Sequence, residues 1–284
     1  MIVTRFAPSP TGRLHLGHAF SAVTAHGRAR AGGGRFHLRI EDIDGGRSRA
    51  EFVDAIRDDL AWLGLDIDGP IVTQSERLAR YGAMLDRLAA DGLAYRCFCS
   101  RADIAASVAA PHGADGPLYP GTCRHLPAAD AAARADSAPH SWRLDATAAI
   151  ARTGPLAWTD ELAGTVSADP RALGDIILKG RDRPASYHLA AVVDDAELGA
   201  SLIVRGLDLF GSTHVQRILQ ALLGLPTPVY HHHPLIAGPD GRRLAKRDAA
   251  AGLDRLRAEG IDGLALADRL RAGRLPIGFG FVNA

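Results

Sequence analysis

RFAPSPTGRLHLGH, residues 5–18, is the stretch of this chain that decides its fold. Apolar residues at its start predict a short buried strand, and its two prolines then force an extended loop. From about His15 onward, apolar residues recur at helical spacing, so the loop leads into a helix. Free backbone N–H groups at a helix start favour phosphate, and His15 and His18 share a face of the first turn. With Gly17 keeping the backbone approachable, this helix start predicts a triphosphate site; its alternative is a capped helix with two incidental histidines.

Composition and charge exclude several classes of protein. The 284 residues carry 33 basic and 32 acidic side chains, so any contact with RNA must use a local patch. No apolar run resembles a signal peptide or a membrane span, which predicts no membrane partner. The three cysteines, two of them in Cys97-Phe98-Cys99, do not suggest a disulfide framework. We therefore expect a soluble cytoplasmic protein.

Two charged residues follow predicted strands. Residues 35–40 alternate like a strand and lead into Glu41, and residues 202–204 form an apolar run that ends in Arg205. Strands alternating with helices predict a parallel sheet, in which the carboxyl ends of strands face a ligand crevice. Glu41 could equally be ordinary loop acidity. An arginine at the end of a buried strand is costly without an anion, which could be a substrate or a structural partner such as Asp194 or Asp208.

Cysteine spacing raises a metal hypothesis. Cys97 and Cys99 are followed some twenty residues later by a second cluster that contains Cys123. Zinc prefers four ligands in a tetrahedron, mostly thiolate and imidazole, and such clusters can close around it. Three buried free cysteines are the alternative. The run of histidines at 231–233 is a poor metal site, because its side chains alternate in direction along an extended segment.

Three sequence blocks together resemble the class I aminoacyl-tRNA synthetases, specifically the glutamyl group. RFAPSPTG with HLGH resembles the ATP-binding "HIGH" element, with Leu16 in its second place, and RIEDID at 39–44 resembles a second block of that group. RLAKR at 243–247 resembles the mobile "KMSKS" loop, although Arg243, Ala245 and Arg247 depart from it. Lys246, the lysine of that element, is retained.

The resemblance implies an α/β fold, namely a Rossmann-like class I catalytic domain with a zinc-containing insertion and a short helical C-terminal tail. It places the first half of the nucleotide-binding fold at 1–96, the insertion that would orient the acceptor RNA at 97–170, the second half with the KMSKS-like loop at 171–248, and the tail at 249–284.

The resemblance also implies a ligase reaction, in which the carboxylate of L-glutamate attacks the α-phosphate of ATP, with Mg²⁺ accompanying the ATP. The implied catalytic residues are His15, His18 and Lys246. The implied glutamate-binding residues are Arg5, Phe6, Ala7, Pro8, Ser9, Glu41, Tyr187 and Arg205. The implied ATP-binding residues are His15, Gly17, His18, Asp208 and Lys246.

Enzymes of the glutamyl group place a zinc knuckle in the insertion, which implies one structural Zn²⁺ here. Its implied ligands are Cys97, Cys99, Tyr119 and Cys123. His125 is the alternative fourth ligand, since some full-length members end the motif in Cys-x-His. Tyr119 fits a shorter relative that uses a tyrosine four residues before the last cysteine, and we favour it.

The resemblance runs from residue 1 to about 250, whereas full-length members continue into anticodon-binding domains. The chain therefore resembles the short paralogues of the group. These activate glutamate without tRNA and esterify it to queuosine at the wobble position of tRNA(Asp), which implies the anticodon arm as partner and a monomer as acting unit. The alternatives are a minimal glutamyl-tRNA synthetase that charges an acceptor end, another nucleotidyltransferase, and an inactive paralogue that serves as amino-acid sensor or RNA-binding module.

Overall fold

A computed structural model describes residues 1–100, 102–104, 119–169, 174–244 and 252–282. Mixed parallel and antiparallel sheets are flanked by helices in these ranges. Of the helices described, none is both long enough and apolar enough to cross a bilayer.

The first sheet is parallel, as its alternating strands and helices predict. Its strands are β1 (Val3–Phe6), β2 (Arg35–Ile40) and β3 (Val72–Thr73), in the order β1-β2-β3. The helices of this part are α1 (Leu16–Ala31), α2 (Ala50–Trp62) and α3 (Leu78–Ala90). All four residues of β1 are buried, because helices cover both faces of the sheet.

The second sheet has the order β7-β6-β10-β9. Its strands are β6 (Ala157–Asp160), β7 (Gly164–Ser167), β9 (Leu202–Gly206) and β10 (Val229–His233), and β9 and β10 are parallel. Its helices are α6 (Tyr187–Glu197) and α7 (Phe210–Leu223). The start of β9 meets β1, since the Ser201 amide donates to the Val3 carbonyl oxygen at 2.9 Å. The carboxyl ends of β1, β2 and β9 therefore open on the same crevice.

A third, antiparallel sheet carries the cysteines at one end. Its strands are β4 (Ala94–Cys97), β5 (Ser141–Leu144) and β8 (Ile177–Lys179), in the order β4-β5-β8, with α4 (Ala128–Ala135) and α5 (Ala146–Thr153) beside it. Strand pairing crosses the predicted boundary at residue 170 in both directions. The β6–β7 hairpin before it pairs with β10, and β8 after it pairs with β5. Such long-range pairing is not visible in local periodicity.

The C-terminal part packs into the first core. It holds α8 (Leu253–Ala258), α9 (Gly263–Arg271) and β12 (Gly280–Val282), and β12 pairs antiparallel with β11 (Leu235–Ala237). Leu253, Leu266 and Leu270 are buried against residues of α1 and α2. The predicted helical tail thus contributes to the core that supports α1.

Candidate active site

The predicted glutamate and ATP residues surround one cavity of about 380 Å³ at the carboxyl ends of β1, β2 and β9. The predicted residues that line it are Arg5, Phe6, Ala7, Pro8, Ser9, His15, Gly17, His18, Glu41, Tyr187, Arg205 and Asp208. Lys246 lies outside the described residues. The cavity is therefore built from residues far apart in sequence, brought together by parallel strands.

The start of α1 fixes both histidine rings. The Gly17 amide donates to Nδ1 of His15 at 3.1 Å, and the His15 amide donates to Nδ1 of His18 at 3.2 Å. Each neutral ring therefore carries its hydrogen on Nε2, the nitrogen that can donate to an anion. A side chain at position 17 would place its Cβ 3.0 Å from Cε1 of His15, so a glycine lets this ring fold over the helix start.

Arg205 is a buried cation whose neighbours are neutral. Its Nε donates to Nε2 of His232 at 3.0 Å. Its terminal nitrogens donate to Tyr187 Oη at 3.1 Å, Gln216 Oε1 at 2.9 Å and Thr213 Oγ1 at 2.7 Å. Among the described residues, no carboxylate forms an ion pair with Arg205, which is 5% exposed. The structural partners considered from the sequence are engaged elsewhere, since Asp194 pairs with Arg77 and Asp208 with Arg243.

His232 holds the Arg205 side chain through a defined tautomer. Its Nδ1 donates to Asp160 Oδ2 at 2.8 Å, which leaves Nε2 to accept from Arg205. Burial, and then the charge of Arg205, lower the pKa of His232 to about 4. The ring is therefore neutral at pH 7.

Glu41 follows β2 and Arg5 lies in β1, and both line the cavity. Burial raises the pKa of Glu41, and the neighbouring Arg39 only partly offsets this effect. Arg39 Nη2 donates to Glu41 Oε1 at 2.8 Å, and Arg5 Nε donates to Asp195 Oδ1 at 2.8 Å. A cationic group bound beside Glu41 would favour its charged form.

The cysteine cluster lies at the end of β4. Ligand atoms of Cys97, Cys99 and Cys123 lie within 4.8 Å of one another, so this donor set fits a thiophilic metal such as zinc. Tyr119 Oη lies 3.6 Å from Sγ of Cys99 and accepts from the Cys123 amide at 2.9 Å. Tyr119 is buried, whereas His125 is exposed.

The histidine run at 231–233 has partners other than a metal. His231 bonds Glu161 at 2.8 Å, His232 bonds Asp160, and His233 Nε2 bonds Ser21 at 2.5 Å. Within the described ranges, the three cysteines are the only cluster of metal-ligating groups.

Comparison with known proteins identifies this arrangement. The family model "tRNA synthetases class I (E and Q), catalytic domain" matches residues 1–273. The chain belongs to this family. The predicted α/β class I synthetase fold is thereby confirmed, and class I synthetases use ATP and Mg²⁺.

Relatives of this chain include proteins of two different names. The chain is 47% identical over 269 residues to a glutamyl-Q tRNA(Asp) synthetase of Rhodobacter capsulatus, covering 91% of this chain and 96% of the relative. It is 46% identical to one of Symbiobacterium thermophilum, covering 92% and 82%. It is also 42% identical to a glutamate–tRNA ligase of Oleidesulfovibrio alaskensis, covering 95% of this chain but 56% of the relative.

Solved structures of the same family share the fold. A glutamate-tRNA synthetase from Elizabethkingia anophelis superimposes with a TM-score of 0.80 at 25% identity, over 95% of this chain and 61% of that one. A glutamate tRNA ligase from Elizabethkingia meningosepticum, solved with its amino acid, gives 0.79 at 25% identity. This chain spans about three fifths of the length of both.

Several residues at or near the cavity were not predicted from the sequence. Ser21, His233 and Arg243 line the cavity, and Arg39 and Asp195 lie directly behind it. Arg39 sits in RIEDID, and its alternation with Glu41 along β2 was the one local signal that could have revealed it. Asp195 had no such signal, because its partners lie far away in the chain.

Proposed function

We propose that this protein activates L-glutamate with ATP in the absence of tRNA and then transfers the glutamyl group to queuosine at the wobble position of tRNA(Asp). Relatives named for that activity match most of this chain and most of their own length. A relative named glutamate–tRNA ligase is matched over only 56% of its length. As a member of the class I synthetases, the protein would be a ligase.

The observation that carries the choice of glutamate is the neutral environment of Arg205. Arg5 and Arg39 are balanced by Asp195 and Glu41, which leaves the cation of Arg205 without a carboxylate among the described residues. The side-chain carboxylate of glutamate would supply that missing charge, while its ammonium would face Glu41. The neutral amide of glutamine would leave the guanidinium unpaired, and that costs free energy in a buried site.

We assign the ATP phosphates to the start of α1. The Nε2–H groups of His15 and His18 would donate to phosphate oxygens, together with the positive end of the helix dipole. Asp208 also lines the cavity and is held by Arg243 of the KMSKS-like loop. Lys246, two residues beyond the described part of that loop, would neutralise the leaving pyrophosphate. Mg²⁺ bound with ATP would supply further compensation of phosphate charge.

The reaction needs alignment rather than a protein nucleophile. A carboxylate oxygen of glutamate attacks the α-phosphorus, the bond to the bridging oxygen breaks, and pyrophosphate leaves with its electron pair. A hydroxyl of the queuosine cyclopentenediol then attacks the glutamyl carbonyl carbon. The hydroxyl loses its proton, and AMP leaves with the electron pair of the broken bond. A base in a single-stranded anticodon loop can be turned into a cavity without opening a duplex.

We propose that Cys97, Cys99 and Cys123 hold one structural zinc ion with Tyr119 as fourth ligand. The hydroxyl of Tyr119 is next to the thiol group of Cys99, and His125 is exposed. Zinc would tie the end of β4 to the loop that carries Cys123 and so stiffen the surface that would orient the RNA. We propose a single chain as the acting unit and the cytoplasm, where tRNA is used, as its location.

Pyrophosphate exchange tests the activation step. Purified protein, ATP and labelled pyrophosphate should give exchange with L-glutamate and no RNA, and none with L-glutamine. Absence of glutamate-dependent exchange would contradict the proposal and would favour a sensor or RNA-binding role.

Transfer is tested with labelled glutamate and tRNA(Asp) that either contains or lacks queuosine. We expect label on the modified RNA alone, and the label should persist when the 3′-terminal adenosine has been removed. Labelling of unmodified tRNA(Glu) at its acceptor end would instead show a glutamyl-tRNA synthetase.

A further inference from the structure

Behind the cavity, one carboxylate oxygen connects two charged residues of the cavity wall, Arg5 directly and Glu41 through Arg39. Oδ1 of Asp195 accepts from Arg5 Nε at 2.8 Å and from Arg39 Nη1 at 2.5 Å. Arg39 in turn donates from Nη2 to Glu41 Oε1 at 2.8 Å. Arg5 and Glu41 line the cavity, whereas Arg39 and Asp195 are buried behind it.

We propose that Asp195 and Arg39 are positioning residues for glutamate, acting through Arg5 and Glu41 without touching the substrate. This inference rests on the proposed function, because it assumes that Arg5 and Glu41 bind glutamate. It adds that their placement depends on the chain Arg5–Asp195–Arg39–Glu41, which spans β1, α6 and β2.

Charge explains why this chain of contacts is needed. Arg39 is fully buried, and its two terminal nitrogens each meet a carboxylate. Asp195 lies between two guanidinium groups and screens their repulsion in a site with little water. Without the charge of Asp195, Arg5 and Arg39 would repel each other, and Arg39 would draw Glu41 more strongly. Arg5 and Glu41 would then both move from their positions in the cavity wall.

Asp194, the residue before Asp195, is also a buried carboxylate, but its main contacts lie elsewhere. It is adjacent in α6 and fully buried, but its main partners are Arg77 at 2.7 Å, Gln74 at 2.8 Å and Tyr81. These residues tie α6 to α3 and to the turn before it, away from the cavity. Arg39 Nε lies 3.9 Å from Asp194, a longer contact than that with Asp195. Asp194 therefore serves as a control for the effect of losing a buried carboxylate.

The experiment measures pyrophosphate exchange by the full chain while glutamate and ATP are varied in turn. Asp195→Asn should raise the KM for glutamate by about tenfold or more and leave the KM for ATP within about twofold. Asp194→Asn should lower the melting temperature but keep the KM for glutamate within about twofold.

Arg39→Lys supplies a second variant, so that a folding failure of Asp195→Asn does not end the test. A single ammonium keeps the charge but cannot bridge Asp195 and Glu41 as the guanidinium does, so the KM for glutamate should again rise selectively. If the wild-type protein shows no exchange, the proposed function itself fails. If the wild type is active and both variants keep its KM for glutamate, the inference is overturned. It is equally overturned if Asp194→Asn raises that KM as much as Asp195→Asn.

Discussion

Gly17 shows how one missing methyl group shapes the ATP side of the cavity. Because a Cβ there would lie 3.0 Å from His15 Cε1, Gly17→Ala should displace the ring that we assign to phosphate. We expect pyrophosphate exchange to fall about tenfold or more, mainly through the KM for ATP.

The same helix offers a control for the Gly17 substitution. A Cβ at Gly27 would meet nothing within 4 Å, so Gly27→Ala should stabilise α1 by about 0.5–1 kcal/mol and leave exchange unchanged. Thermal unfolding and exchange assays of the two variants separate helix propensity from ring placement. Equal activity of Gly17→Ala and wild type would remove His15 from its proposed role.

The neutral ring of His232 links stability to pH. Its pKa is about 4 in the folded protein, against an ordinary value of about 6.5 for histidine. Because the folded value is depressed, the stabilisation is fully present above pH 6.5 and is lost as the pH falls toward 4. This group alone should account for about 3 kcal/mol of unfolding free energy over that window.

Denaturant unfolding at pH 7 and pH 4.5 measures this effect. The lowered pKa values of His26, His214 and His233 add losses in the same direction, so the wild-type curve alone does not isolate His232. His232→Gln cannot titrate and should show a loss smaller by about 2–3 kcal/mol. An identical loss in both proteins would mean that the pKa of His232 is the same in the folded and unfolded states.

At the scale of elements, the sequence predicted what is local. The opening motif revealed β1, the proline loop and α1, because their apolar spacing and prolines lie within one short stretch. A second local pattern, the apolar run of β9 that leads directly into Arg205, predicted a cation that needs an anion. The partners of Arg5 and His232 were not predictable, because Asp195 is 190 residues from Arg5 and Asp160 is 72 residues from His232.

The loop that carries Cys123 contains both candidates for the fourth zinc ligand, Tyr119 and His125, and substitutions can distinguish them. If Tyr119 is the fourth zinc ligand, Tyr119→Phe should weaken zinc retention, while His125→Ala should not. Metal analysis of the purified wild type should give about one zinc per chain. Competition with a colorimetric chelator then ranks the variants. Zinc loss from His125→Ala alone would instead make His125 the ligand.

At the scale of the whole molecule, the C-terminal part is hydrogen-bonded to the residues just before α1. The Leu253 amide donates to the Leu14 carbonyl oxygen at 3.0 Å, and Gly252 forms an isolated antiparallel β-bridge with His15. The helices after this contact bury their apolar face in the same core as α1. Residues 252–282 should therefore unfold together with the nucleotide-binding part and not before it.

Gly263 at the start of α9 tests this coupling. A Cβ there would lie 2.1 Å from the carbonyl oxygen of Trp62, so Gly263→Ala must push α9 away from α2. We expect a loss of about 1–3 kcal/mol in unfolding free energy, with loss of exchange and of tryptophan fluorescence at the same denaturant concentration. Gly280→Ala is the control, since its Cβ would meet nothing within 4 Å. A separate early transition in Gly263→Ala that leaves exchange intact would show that the C-terminal part folds independently, and α1 would then owe its position to the sheets alone.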